Sequence, residues 1–272
     1  MRRLAMQAAV LHTQPTRWLF EQAGLSAGML VLDVGCGAGD VTFLAGEFVG
    51  PSGTVLGIDS SPRALDTARL RASRAGVDNV AFLEADLRSY VSPEPFDALV
   101  GRAVLMYLPD PAAALRSLLR SVRAGGVVAF REVLAGEPFL EATPRSELVD
   151  RLNAWFLADA LPALEALGVD GQLGLRLHQV FRDAGLPAPQ MWMHAPIGTE
   201  PSWPGWEYLG QQVQMIASTT ARVGVELPSA LAPTSLGARL RDEVLQQGGM
   251  LRIQRGIQAW ARKPHVASAA ER

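Results

Sequence analysis

Five short apolar runs recur along the first half of the chain: VLDVG (31–35), TVLGID (54–59), VAFLEAD (80–86), FDALVGR (96–102) and GVVAFREV (126–133). Each is too short for a helix and apolar on both faces, the mark of strands buried inside a parallel sheet. The stretches between them carry helical signals. Ser61 and Pro62 supply an N-cap and a first helical position, and Leu65, Ala68 and Ala72 then form one apolar side, with Arg63, Arg69, Arg71 and Arg74 largely elsewhere. Asp110 and Pro111 repeat the cap, Leu115, Leu118, Leu119 and Val122 form the stripe, and Gly125–Gly126 ends it. Strand and helix in alternation imply right-handed crossovers and a sheet covered on both faces.

The second half reads differently. Helices are expected over 144–166, 172–184 and 203–220, a strand in PQMWMHAPI, and a last strand over 250–263. No repeat or linker divides the chain, so a single domain over 1–272 is expected. Its core would span about 22–133, with insertions at about 1–20, 134–168 and 198–248.

Charge and cysteine content narrow the partners. Lys and Arg total 25 and Asp and Glu 27, a net charge of −2, so no electrostatic grip on nucleic acid or anionic lipid is expected. The lone cysteine, Cys36, allows no internal disulfide and no cysteine-based zinc cluster, which fits a reducing cytoplasm. No apolar run approaches the roughly 18 residues of a membrane span. The N-terminal MRRLAMQAAVLHTQ reads as an amphipathic helix rather than a signal peptide, because Gln7 and His12 interrupt its apolar part.

The turn after the first strand carries the chemistry. A dinucleotide fingerprint needs glycine or alanine at the third place of its glycine motif, and here that place is Asp40. The pattern is instead Asp33-x-Gly35-x-Gly37-x-Gly39. Asp59 ends the second strand, where a carboxylate can accept hydrogen bonds from both hydroxyls of a ribose. Asp86 ends the third, followed by Leu87, a pairing that suits an adenine amino group and an apolar wall. Ligands of parallel α/β sheets bind beyond the carboxyl ends of the strands, so these groups are expected to converge.

DVGCGAGD, GIDSSP, EADL, FDALVGRAVLMYLPDP and RAGGVVAFRE, in this order and spacing, resemble the class I S-adenosylmethionine-dependent methyltransferases. Within that family the resemblance is to small-molecule enzymes of the ubiquinone/menaquinone-biosynthesis type (methyltransferase types 11 and 25), and it is strong over about 28–133. It implies an α/β, Rossmann-like, seven-stranded, mostly parallel sheet with helices on both faces and helical lid insertions. It implies S-adenosyl-L-methionine as cofactor and S-adenosyl-L-homocysteine as product. Gly35, Cys36 and Gly37 would pass along the methionine part, with Asp33 beneath. Asp59 and Ser60 would hold the ribose, Asp86 and Leu87 the adenine, and Arg102 and Ala103 would line the methionine side.

Methyl transfer from a sulfonium is an in-line displacement that needs alignment more than a strong base. The acceptor atom, O, C or N, stays open. The only thiol lies inside the glycine turn and no Asn/Asp-Pro-Pro-aromatic motif follows strand four, which argues against nucleic-acid base methylation. Strand four ends in Gly-Arg without a carboxylate, and no residue set has metal-ligand spacing, so no metal is expected. His12, Tyr107 and His194 are the candidate catalytic groups, with Glu132 and His178 as further bases. Trp155, Phe156, Met191, Trp192, Met193, Trp203, Trp206, Tyr208 and Met215 favour an apolar or aromatic small-molecule acceptor under the insertions. A homodimer is left open. Two other readings use the same fold: a cofactor-binding cyclase, pericyclase or non-catalytic member, and an RNA or protein methyltransferase, which the near-neutral charge disfavours.

Overall fold

In a computed structural model of the protein, residues 2–135 and 137–265 are described. Helix α1 (Arg2–Ala23) precedes strand β1 (Leu30–Val34), α2 (Asp40–Val49), β2 (Thr54–Asp59), α3 (Pro62–Ala75), β3 (Val80–Glu84), β4 (Phe96–Arg102), α4 (Pro111–Leu118) and β5 (Val122–Val133). Then come β6 (Glu141–Thr143), α5 (Glu147–Trp155), α6 (Leu161–Ala166), α7 (Leu173–Asp183), β7 (Gln190–His194) and β8 (Ile197–Gly198). The chain continues through α8 (Gly205–Thr220), α9 (Leu236–Gln246), β9 (Met250–Arg252) and β10 (Gly256–Arg262).

The main sheet has seven strands in the order β3-β2-β1-β4-β5-β10-β7. β1 pairs in parallel with β2 and β4, β2 with β3, and β4 with β5, the expected α/β class. The chain order reverses on either side of β1, the kind of switch point at which such sheets open a crevice. The caps behave as the sequence implies: Ser61 Oγ accepts from Ala64 N–H, and Asp110 Oδ1 from Ala113 N–H.

The chain divides into two compact units. The larger comprises Pro15–Glu132, Leu175–Trp192 and the chain from Gln258 on. One of its cores sets Val31, Val55, Ala98, Val100, Val127 and Ala129 of the sheet against Leu44, Ala45 and Val49 of α2 and Leu19 and Phe20 of α1. Side chains of Val and Leu size stabilise such a core by about 1.5–3 kcal/mol each.

The smaller unit comprises residues up to Gln14, Val133–Gly174 and Met193–Ile257. Leu148, Leu152, Trp155 and Phe156 pack there with Leu209, Val213, Leu240 and Val244. Glu243 of α9 ties α5 in place, its Oε1 accepting from Ser146 Oγ at 2.7 Å and Leu148 N–H at 3.2 Å.

Three segments depart from the sequence reading, the first being residues 122–125, expected to finish a helix but found to open β5. The last strand expected over 250–263 is two strands in two sheets: β10 joins the main sheet, whereas β9 lies antiparallel between β6 and β8 in a three-stranded sheet. Alternation runs through both segments, and periodicity alone does not show a change of sheet. The helix expected from Pro144 starts at Glu147, with Ser146 as its cap. It then widens into a π turn at Phe156–Ala160, where Pro162 withholds the N–H that an α-helix would direct to residue 158.

Candidate functional site

The site is built around the turn between β1 and α2. Gly35 (φ +65°) and Gly37 (φ +53°) both take the left-handed backbone that favours glycine. A Cβ on Gly35 would collide with the Val104 side chain, whereas one on Gly37 would meet nothing within 4 Å. The first glycine therefore permits close packing, and the second leaves bare backbone open to a ligand. Asp59, at the end of β2, braces the turn: Oδ2 accepts the Gly37 N–H and Oδ1 the Ser61 N–H, both at 2.8 Å. A carboxylate offers about four lone-pair sites, so the same two bonds that orient Asp59 leave it capacity for a ligand's hydroxyls.

Asp33 lies beneath the turn, buried, with Thr42 Oγ1 donating to its Oδ2 at 2.6 Å. Burial pushes its carboxyl up to about 7, against the opposing pull of the Thr42 hydrogen bond and the Arg102 charge. Cys36 is also buried, and that burial, together with Asp33 and Asp59, raises its thiol. It fills space beside Gly57, so the thiol has no nucleophilic character. Arg102 approaches Asp40 at 3.5 Å, and Arg71 reaches the same carboxylate at 2.7 Å.

A cavity of about 390 Å³ opens at this end of the sheet. Gly35, Asp59, Ser60, Asp86, Leu87, Ala103 and Tyr107 line it, so the structure gathers these expected residues at one place. Asp33, Cys36, Gly37 and Arg102 belong to the turn and its support rather than to the lining. The sequence reading missed Val104 and Arg88 on the wall. Arg88 grips Asp86 through its backbone N–H, Nε and Nη2 at 2.6–3.0 Å, and these bonds hold the Asp86 carboxyl down to about 2.

The candidate catalytic groups fall in different units. Tyr107 lies on the cavity wall of the larger unit, more than half exposed, its hydroxyl raised by partial burial and by the nearby Glu132 charge. His12 and His194 belong to the smaller unit. His12 Nε2 is 2.9 Å from the Tyr208 hydroxyl, with the two rings edge to face, and His194 ends β7. His178 Nδ1 lies 3.2 Å from its own helix's Leu175 carbonyl. Glu132 is fully buried.

The aromatic set also separates. Trp155, Phe156, Trp206 and Tyr208 are core residues of the smaller unit, while Met191, Trp192, Met193 and Met215 are exposed. Trp192 packs against Trp18 with ring centroids 5.2 Å apart and the planes tilted by 41°.

A family model described as a methyltransferase domain matches residues 25–185, more than half of the chain. The chain belongs to this methyltransferase-domain family. A trans-aconitate 2-methyltransferase from Azoarcus sp. is 37% identical over 119 residues, 44% of this chain and 45% of that protein. An aklanonic acid methyltransferase, DauC, from Streptomyces sp. is 35% identical over 164 residues, 52% of this chain and 74% of that protein. The chain thus spans less than half the length of the trans-aconitate enzyme. Among solved structures, the YcgJ protein of Bacillus subtilis shares the fold at a TM-score of 0.57 and 19% identity, covering 94% of this chain and 99% of that one. Among the described residues, no helix of this methyltransferase-family chain is long and apolar enough to cross a membrane.

Proposed function

We propose that the chain transfers the methyl group of S-adenosylmethionine to an oxygen, carbon or nitrogen nucleophile of an apolar small molecule. The observation that carries this reading is an Asp59 oriented by the Gly37 and Ser61 amides, on a cavity that also presents Gly35, Asp86 and Leu87. These residues fit the cofactor. Asp59 offers acceptors for ribose hydroxyls, Asp86 a carboxylate for which an exocyclic amine would compete with Arg88, and Leu87 an apolar wall. The volume, about 390 Å³, lies within the range of small-ligand sites.

When bound, S-adenosylmethionine would supply an activated methyl on a sulfonium whose leaving group is the neutral thioether S-adenosylhomocysteine, with the acceptor's proton passing to water. The chain's part is to hold the cofactor on the glycine turn, with Gly35, Cys36, Gly37, Asp33, Arg102 and Ala103 around the methionine moiety. Asp59 and Ser60 take the ribose, Asp86 and Leu87 the base. Among the candidate catalytic groups Tyr107 has the strongest support, because it lines the same cavity. Its raised hydroxyl suits hydrogen bonding rather than proton abstraction.

Calorimetry with S-adenosylmethionine and S-adenosylhomocysteine tests the reading, followed by a screen of phenols, quinones and amines coupled to S-adenosylhomocysteine release. Binding of both ligands and release with one acceptor class are expected. Binding of NADH with neither of these ligands would overturn the cofactor assignment. Retained cofactor with a converted substrate and no S-adenosylhomocysteine would mark a non-transferring member of the fold.

A further inference from the structure

Glu132, at the carboxyl end of β5, has no solvent exposure. Its Oε1 accepts two backbone hydrogen bonds, from Val104 N–H at 3.1 Å and Leu105 N–H at 2.9 Å. Both donors lie in the turn that follows β4, where Ala103 is held at φ +49° with its own N–H on the Arg131 carbonyl at 2.8 Å. Positive φ at a residue bearing a Cβ persists only where the surroundings over-determine it. The strand that carries Arg131 and Glu132 therefore grips three successive amides of one turn.

That turn supplies the cavity wall. Ala103, Val104 and Tyr107 line the cavity, and the Val104 side chain fills the space above Gly35. A buried carboxylate costs stability unless something uses it. Here one oxygen satisfies two buried donors, and Glu132 itself does not line the cavity.

We infer that Glu132 is a positioning residue of the cofactor site, holding the Ala103–Tyr107 wall through the Val104 and Leu105 amides so that Val104 seats the glycine turn. This rests on the proposed cofactor reading and goes beyond it, since Glu132 acts without touching ligand. It also replaces the expectation that Glu132 serves as a base.

S-adenosylhomocysteine binding by calorimetry, together with a thermal melt of each variant, tests the inference. Wild-type binding is the prior check: its failure removes the cofactor reading, whereas the outcomes below concern Glu132 alone. Glu132→Gln keeps an acceptor oxygen for both amides and should bind within about threefold of wild type. Glu132→Leu removes the acceptor at similar volume and should lose about tenfold or more. Val104→Ala should also weaken binding, and less than additively when combined with Glu132→Leu, because both act through one contact. Equal binding by Leu and wild type, equal loss by Gln and Leu, or additive losses would each overturn it. If Glu132→Leu does not fold, amide exchange decides: Val104 and Leu105 should exchange slowly in wild type and Glu132→Gln, and fast exchange at either amide in wild type would overturn it.

Discussion

Single residues set both the affinity and the pH response of the site. Asp59 braces the Gly37 and Ser61 amides and has lone pairs to spare for a ribose. Asp59→Ala removes charge-assisted bonds, so S-adenosylhomocysteine affinity should fall by about 10- to 100-fold in calorimetry. Asp86 is in a different position, because Arg88 occupies its lone pairs and would compete with an adenine amino group. The pair is exposed and weak, so Arg88→Ala should tighten binding about two- to fivefold, and a loss of affinity would show Arg88 to be a ligand contact instead. Asp33 and Glu132 couple folding to pH. Burial raises each to about 7 in the folded chain, from ordinary values of 3.8 and 4.5. Between about pH 4 and 7 the folded state therefore binds more protons than the unfolded state, and stability falls as pH rises. Each group contributes up to about 1.4 kcal/mol per pH unit in that window. Melting temperatures from pH 4 to 8 should decline in wild type and flatten in Asp33→Asn and Glu132→Gln. A wild-type profile rising across the window would contradict the assignment.

Elements differ in how far local sequence determines them. Strands β1 to β5 were legible because each is an apolar run closed by Gly, Asp or a cap-and-proline pair, and their shared carboxyl edge followed from topology; β3, the edge strand, is nonetheless half-exposed rather than buried on both faces. Asp59, Asp86 and Leu87 could be placed on that edge for the same reason. The wall after β4 was not legible: the positive φ of Ala103 and the grip of Glu132 depend on contacts between segments about 30 residues apart. The split of 250–263 between two sheets was hidden because one alternating pattern runs across the break. The tight approach of α8 and α9 was equally invisible, since a lone glycine in a helix reads only as a weak point. In the structure a Cβ on Gly237 of α9 would collide with the Trp206 carbonyl of α8. Gly237→Ala gains helix propensity, yet the backbone collision should dominate and lower stability by about 1–3 kcal/mol. A lower melting temperature in differential scanning calorimetry is the expected result, and an unchanged or higher one would show that the helices can part at little cost.

At the scale of the whole molecule, ligand linkage distinguishes a cofactor site from an incidental cavity. A ligand that binds only the folded chain stabilises it by about 2.7 kcal/mol at a hundred times its dissociation constant. For a fold of this size each kcal/mol moves the melting temperature by roughly 2–4 °C, so saturating S-adenosylhomocysteine should raise it by roughly 5–10 °C. The cavity residues all belong to the larger unit, and each unit has a hydrophobic core of its own. If the units melt in separate steps, the step of the larger unit must carry the shift, and a single apparent midpoint would understate it. NADH is the discriminating control, because Asp40 stands where a dinucleotide turn needs glycine or alanine. A shift with S-adenosylhomocysteine that is absent with NADH and lost in Asp59→Ala would tie the whole molecule's stability to the Gly35–Gly37 turn. A shift that survives Asp59→Ala would place the ligand elsewhere in the fold.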